Sequence, residues 1–251
     1  LGDELVTDGS FSAEGPQLIT NGGFDTDTGW VKGANVTISG GEATSSTVGD
    51  YIVLNQSIPI LSGKIYKYSF NVTIISGDIR FGDTSSVWSD TATSSGIYSG
   101  YATASNTAIY FTSPSSSFIG SIDNVSVVEV AADWSLGTGW SVSDGKAISG
   151  GSNEDAYLSQ SGLVAGKSYR VTFDILDYVS GVLSVRAANE AQAFSVNSNG
   201  SYVGYVKSIS SISIGFRSAG ASGFNGSIDN ISLKEMLVTR ESTTTNTGIV
   251  E

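Results

Sequence analysis

An all-β chain, built as two tandem antiparallel β-sandwiches with extended arms at either end, is the fold this sequence predicts, and three observations predict it. The first is a repeat. Gly120-Ser-Ile-Asp-Asn-Val-Ser-Val-Val-Glu-Val130 returns as Gly226-Ser-Ile-Asp-Asn-Ile-Ser-Leu-Lys-Glu-Met236, with the first five residues identical. A motif of this length recurring about one domain apart marks a duplicated unit. The second is composition: Gly, Ser, Thr, Val and Ile are abundant and Lys, Arg, Glu and Leu are sparse, which favours strands and turns over helices. The third is periodicity, since no window carries the 3.6-residue pattern of an amphipathic helix.

Residues 1–16 read as an N-terminal arm with a spare strand. Leu5-Val-Thr-Asp-Gly-Ser-Phe11 repeats as Leu18-Ile-Thr-Asn-Gly-Gly-Phe24, and Leu237-Val-Thr239 echoes it after the second unit. The element therefore opens a domain, and one copy lacks a domain of its own. It is either a linker left over from duplication or a strand that pairs with a neighbouring subunit or a preceding domain, since unpaired strand edges attract partners.

Residues 17–130 form the first sandwich. Strands are expected at 34–39, 42–46, 51–58, 65–75, 78–82, 96–104, 107–112 and 121–130. Gly40-Gly41 supplies a tight hairpin between the first two. In the 65–75 segment Tyr66, Tyr68, Phe70 and Val72 share one face and Lys67, Ser69 and Asn71 the other, the signature of a sheet packed on one side. In the closing strand the parity slips at Asp123-Asn124, which predicts a bulge there. Residues 131–236 form the second sandwich. Thr138-Gly139-Trp140 answers Thr28-Gly29-Trp30, Leu158-Ser-Gln-Ser161 answers Leu54-Asn-Gln-Ser57, and Gly166-Lys-Ser-Tyr169 answers Gly63-Lys-Ile-Tyr66. Residues 237–251, Thr-rich with few apolar residues before Ile249-Val250, read as a C-terminal linker or arm.

Charge and composition narrow the function. The net charge of −12 repels phosphate backbones, so nucleic acid is not an expected partner, and calcium is a natural counter-charge. No apolar run is long enough to span a membrane. The absence of cysteine points to neither an oxidising nor a reducing compartment. The chain opens at Leu1 without Met or a signal-like segment and is read as the processed or ordered part of a longer protein. With no His and no Cys, the usual general bases and thiol nucleophiles are missing, and no glycine run has phosphate-loop spacing. Asp and Glu are scattered over loops rather than paired for glycoside hydrolysis. The chain is therefore read as a non-enzyme.

Repeated aromatics are expected in the cores: Trp30, Trp140, Tyr66, Phe70, Tyr169 and Phe173. Aromatics without a clear twin are the ligand candidates, because sugar C–H faces stack on exposed rings while polar neighbours read hydroxyls. Trp88, in the polar loop 82–95, leads this set, followed by Tyr51, Tyr157 and Tyr178. The alternative for Trp88 is a lid over the sandwich edge or a contact between subunits.

The order of motifs carries a resemblance. Asn21-Gly-Gly-Phe-Asp25, then Thr-Gly-Trp, then Gly-Lys-x-Tyr-x-x-x-Phe, then Ile-Asp-Asn-Val-Ser resembles carbohydrate-binding modules of the family 4/9 type, which are galactose-binding-like jelly rolls. The Gly-Ser-Ile-Asp-Asn-Val-Ser-Val ending is similar to modules repeated in bacteriophage virion proteins. The resemblance implies two tandem antiparallel jelly-roll β-sandwiches over residues 17–236. It implies a structural Ca²⁺ tying opening segment to closing strand, with Asp25 and Asp123 as ligands helped by carbonyls near Asn21 and Gly22. In the second repeat, aligned on the tryptophan, Trp134 replaces Phe24 and Ser135 replaces Asp25, leaving Asp229. The alternative is that Asp123 and Asp229 only accept backbone hydrogen bonds. The resulting expectation is a non-enzymatic fibre or decoration protein on a virion surface. It would attach to host surface glycans and partner with other virion proteins or copies of itself, with homo-oligomers expected. The competing expectations are a purely structural virion spacer and the accessory domains of a secreted polysaccharide-degrading enzyme.

Overall fold

The computed structural model describes residues 1–83, 86–151, 156–219 and 223–237. All regular structure among them is antiparallel strand, and no helix is long and apolar enough to cross a membrane.

The first sandwich has a large sheet and a small one. The large sheet runs in the order β3 (Val36–Ser39), β4 (Glu42–Ser45), β10 (Ile119–Val130), β6 (Ile65–Ser76) and β8 (Gly96–Thr103), with β1 (Glu14–Gln17) on the lower part of β10. The small sheet runs β2 (Val31–Lys32), β5 (Ile52–Ser57), β9 (Ala108–Thr112) and β7 (Arg80–Asp83). From β4 onward consecutive strands alternate between the sheets, the winding of a jelly roll. The core lies between them. Tyr66, Tyr68 and Phe70 from β6 meet Phe81 and Phe111 from the small sheet, and Phe70 stands edge-on to Phe111 at 5.0 Å.

The second sandwich repeats this plan. Its large sheet is β12 (Trp140–Ser143), β13 (Lys146–Gly150), β20 (Asn225–Glu235), β15 (Ser168–Ser180) and β18 (Gly200–Lys207). Its small sheet is β11 (Ser135–Leu136), β14 (Tyr157–Ser161), β19 (Ser213–Ala219), β16 (Val182–Ala187) and β17 (Phe194–Val196). Phe173 stands edge-on to Phe216 at 5.2 Å, matching Phe70 on Phe111.

The Asp-Asn step of the closing strand is a bulge in both copies. Asn124 and Asn230 have φ of 52° and 53°, a left-handed conformation that Asn tolerates better than most residues. Pairing of β10 with β6 skips from Asp123 to Ser126. The bulge turns the next N–H outward, so Val125 N donates to Gly22 O and Ile231 N donates to Gly9 O, both at 2.9 Å.

Those last two bonds correct the domain boundaries. Residues 1–16 are not a free arm: they pair with both closing strands of their own chain. The segment from Gly2 to Phe11 opens the second sandwich. Gly2 N and Leu5 N donate to Glu235 O and Leu233 O, and Gln160 holds Thr7 through N–H and C=O at 2.7 and 2.8 Å. In the first sandwich Gln56 holds Thr20 the same way, at 2.8 and 2.9 Å. Phe11 packs on Trp134 at 5.0 Å as Phe24 packs on Trp30 at 5.3 Å. The Asx-Gly step is required here by close approach. A Cβ on Gly9 or Gly22 would lie 1.9 or 2.1 Å from a carbonyl oxygen of the closing strand. The second sandwich is thus discontinuous, residues 2–11 plus 134–237, and the first is inserted within it. Of the C-terminal arm and its Leu-Val-Thr echo, residues 238–251 lie outside the described residues.

A second correction follows from the tryptophans. Trp30 Nε1 donates to Asn21 O and Trp134 Nε1 to Asp8 O, so Trp134 is the partner of Trp30. Gly33 N to Val53 O and Gly137 N to Tyr157 O fix the same register. Trp140 instead opens β12 where Val36 opens β3. The two Thr-Gly-Trp triplets are alike in sequence and six residues apart in structure. All three tryptophans are nevertheless buried, as expected of core residues.

Candidate functional site

The outer face of the small sheet in the first sandwich forms an open cleft of about 250 Å³. Strand alternation sends Leu54, Phe81 and Phe111 into the core and leaves Ile52, Arg80, Tyr110 and Thr112 facing out. Tyr51, at the start of β5, lines one side and is 58% exposed. Ser86 and Val87, on the segment that folds back over Gly82, line the other.

Arg80 is the polar centre. Its Nε donates to Thr91 Oγ1 at 2.8 Å, while its terminal nitrogens make no hydrogen bond among the described residues. Asp83, also in the lining, is turned to structural work: it accepts from Ser86 N at 2.7 Å and Ser105 N at 2.6 Å. Asp78 lies near enough to Arg80 to feel its charge. Burial lifts its carboxyl, but the Ser115 hydroxyl and N–H, the Ser113 hydroxyl and Arg80 outweigh this and hold it below the usual carboxylate range. The cleft therefore offers two phenols, an apolar wall and an unspent guanidinium edge.

Of the predicted ligand residues, only Tyr51 is in this cleft. Trp88 is a correction: it is 8% exposed and sits between the sheets. Its ring stacks on Tyr66 at 6.0 Å and meets Phe81 edge-on at 5.7 Å. Trp88 N donates to Phe81 O, Tyr68 Oη donates to Trp88 O, and Nε1 donates to Ser86 Oγ. It plugs the sandwich edge beside β7, the lid alternative, within its own domain. Tyr178 is half-buried against Phe224 and donates to Gly181 O at 3.0 Å, a turn contact. Tyr157 lies on the matching outer face of the second sandwich, but its ring covers Gly215, the residue equivalent to Tyr110. Arg186 on that face is buried and bonded to Ser184 Oγ and Glu190 O, so the two faces have diverged. Sequence reading missed Tyr110 and Arg80. Their signal was outward parity on β9 and β7, the strands flanking Tyr51's own.

The calcium candidates are placed as follows. Asn21 Nδ2 donates to Thr26 O at 2.6 Å and Thr28 O at 2.8 Å, which ties the opening loop to itself. Asp123 accepts from Asn124 N and Nδ2, and Asp229 from Asn230 N, which supports the bulge. Asp25 is exposed. Its structural counterpart in the second sandwich is Ser12, one residue after Phe11, rather than Ser135. Among the described residues no three His, Cys, Asp or Glu side chains gather as a metal cluster.

No protein-family model matches the chain. No curated protein matches it. Among solved structures it is similar to the N-terminal CBM22-1-CBM22-2 tandem domain of Xyn10C from Paenibacillus barcinonensis, at 10% identity and a TM-score of 0.36, covering 94% of this chain and 98% of that one. A likeness at that TM-score bears no weight, and the fold stands on its own strand pairing.

Proposed function

We propose that this protein binds carbohydrate without acting on it chemically, and that the first sandwich does the binding in the Tyr51–Tyr110 cleft. The observation that carries the reading is the convergence of both rings and the unspent Arg80 edge on one open sheet face. Aromatic faces stack on sugar C–H groups, and guanidinium and phenol donors serve hydroxyl oxygens. Asp78 and Asp83 beside Arg80, on a chain of net charge −12, oppose a polyanion and favour a neutral glycan. The setting we propose is display on a virion surface as a fibre or decoration component, where weak single contacts with host glycans add through avidity. Two observations favour the purely structural reading: Trp88 is consumed by its own core, and the second sandwich's matching face is filled.

The test is a glycan array probed with the intact chain in multimerised form, beside Tyr51→Ala and Arg80→Met. Binding to a neutral glycan, weakened about tenfold or more in both variants with melting unchanged, is the expected result. A wild-type chain that binds no neutral glycan removes the reading in favour of the structural one. Variants that bind like wild type remove the cleft.

A further inference from the structure

The two sandwiches of one chain dock through a face that the second sandwich carries again, uncovered among the described residues. In the first sandwich, Ile65, Val130 and Ala131 are buried in the core cluster of the second, and Tyr101 packs against it. What covers them is the second sandwich's Trp134–Leu136 segment and its β12–β13 hairpin, with Ser141, Val142, Ser143 and Asp144 set against Lys67 and Tyr101.

Strand register places Ser168, Met236, Leu237 and Tyr205 where the first sandwich has Ile65, Val130, Ala131 and Tyr101. There the burial reverses. Val130 and Ala131 are 3% and 2% exposed, whereas Met236, Leu237 and Tyr205 are 41%, 60% and 59% exposed. Apolar side chains left open at a position where the sister domain covers them mark an unfilled contact.

We propose that this face receives the first sandwich of a second copy, so that chains associate head to tail by repeating their own internal interface. The occupant is the β3–β4 hairpin and the Val31–Lys32 strand, the counterparts of β12–β13 and β11. Val31, Thr37, Ser39 and the Gly40 tip are exposed there. Inside the chain Lys67 bonds Glu14 and also feels Asp144 at the hairpin tip. Its counterpart Arg170 makes no ion pair among the described residues, because Leu1 stands where Glu14 stands in the first sandwich. Asp144 at the tip has Gly40 as its counterpart in the first sandwich, so the repeated contact rests on the open apolar side chains rather than on an ion pair. Such a contact joins unlike surfaces, so it extends a row of molecules unless the rotation closes it into a ring.

The test is sedimentation velocity on the full chain over a wide concentration series, with two doubly substituted variants. Tyr205→Asp with Met236→Asp blocks the open face, and Val31→Glu with Thr37→Arg blocks the hairpin side. All four side chains point away from the cores, and circular dichroism melts confirm folding. The expected result is wild-type mass rising beyond a dimer with concentration, each variant monomeric alone, and the two mixed giving a one-to-one dimer that grows no further. A wild-type chain that stays monomeric overturns the proposal, as when its own C-terminal residues cover the face. So does association that neither variant disturbs, or a mixture that fails to pair.

Discussion

Trp88 and Tyr51 show how side-chain direction decides what an unpaired aromatic does. Both stand out in the sequence because their repeat partners are not obvious, and the structure sends them to opposite fates. The loop bearing Trp88 is tied back by two N–H bonds to Phe81 O, which turns the indole inward beneath the sheet edge. Removing a buried indole loses its transfer energy and leaves a cavity, so Trp88→Ala should cost about 3–5 kcal/mol in the first sandwich. Urea denaturation followed by near-ultraviolet circular dichroism measures this, and a loss below about 1 kcal/mol would mean the ring is not a core member. Loop composition could not have revealed the difference, because the tie is made by backbone groups.

The opening segment Gly2–Phe11 is the element that reorganises the molecule, and it was half legible. Its likeness to Leu18–Phe24 announced a domain opener, and the strands of the first sandwich fell close to where alternation put them. Which sandwich the spare opener served was not legible, because that depends on pairing partners more than two hundred residues away. The Thr-Gly-Trp triplet misled for the converse reason: a short local match outranked the hydrogen bonds that set register. The cleft was legible only at Tyr51. The segment also carries a titrating clamp that its sister lacks. Glu4 takes the place of Gln17, each accepting from a closing-strand N–H, Leu233 for Glu4 and Val127 for Gln17. Burial would raise the Glu4 carboxyl, but bonds from the Ser232 hydroxyl and the Leu233, Val6 and Leu5 N–H groups hold it below its usual value. A depressed carboxyl contributes stability that is fully present above the unfolded value, roughly 4.3, and is lost as pH falls through the folded value. Glu4→Gln should therefore flatten the acid limb of the second sandwich's melting temperature below about pH 4.3. If wild type and variant lose the same number of degrees between neutral and acid buffer, the clamp does not titrate as described.

At the scale of the whole molecule, insertion makes the two sandwiches unequal partners. The second sandwich must bring Phe11 onto Trp134, residues separated by about 120 positions of chain. When the first sandwich is folded this closure is already made, because Glu14 pairs with Val130 in the β1–β10 ladder and the two exits lie side by side. When it is unfolded, the second sandwich must close the whole intervening loop. With a cost growing as (3/2)RT ln n, replacing a connection of a few residues by one of about 120 adds about 3 kcal/mol. The burial of Ile65, Val130 and Ala131 in the second core adds to that dependence. The reverse dependence is weaker, since the first sandwich runs unbroken from its own opener to its own closing strand. A destabilising change in the first core, Trp88→Ala, should lower the melting of both sandwiches, while Phe216→Ala in the second should move the second far more than the first. Hydrogen exchange read separately on β6 and β15 distinguishes the two. Equal and mutual shifts would mean a single cooperative unit joined by its interface, and no cross-effect in either direction would mean that the opener contributes nothing to the second sandwich's stability.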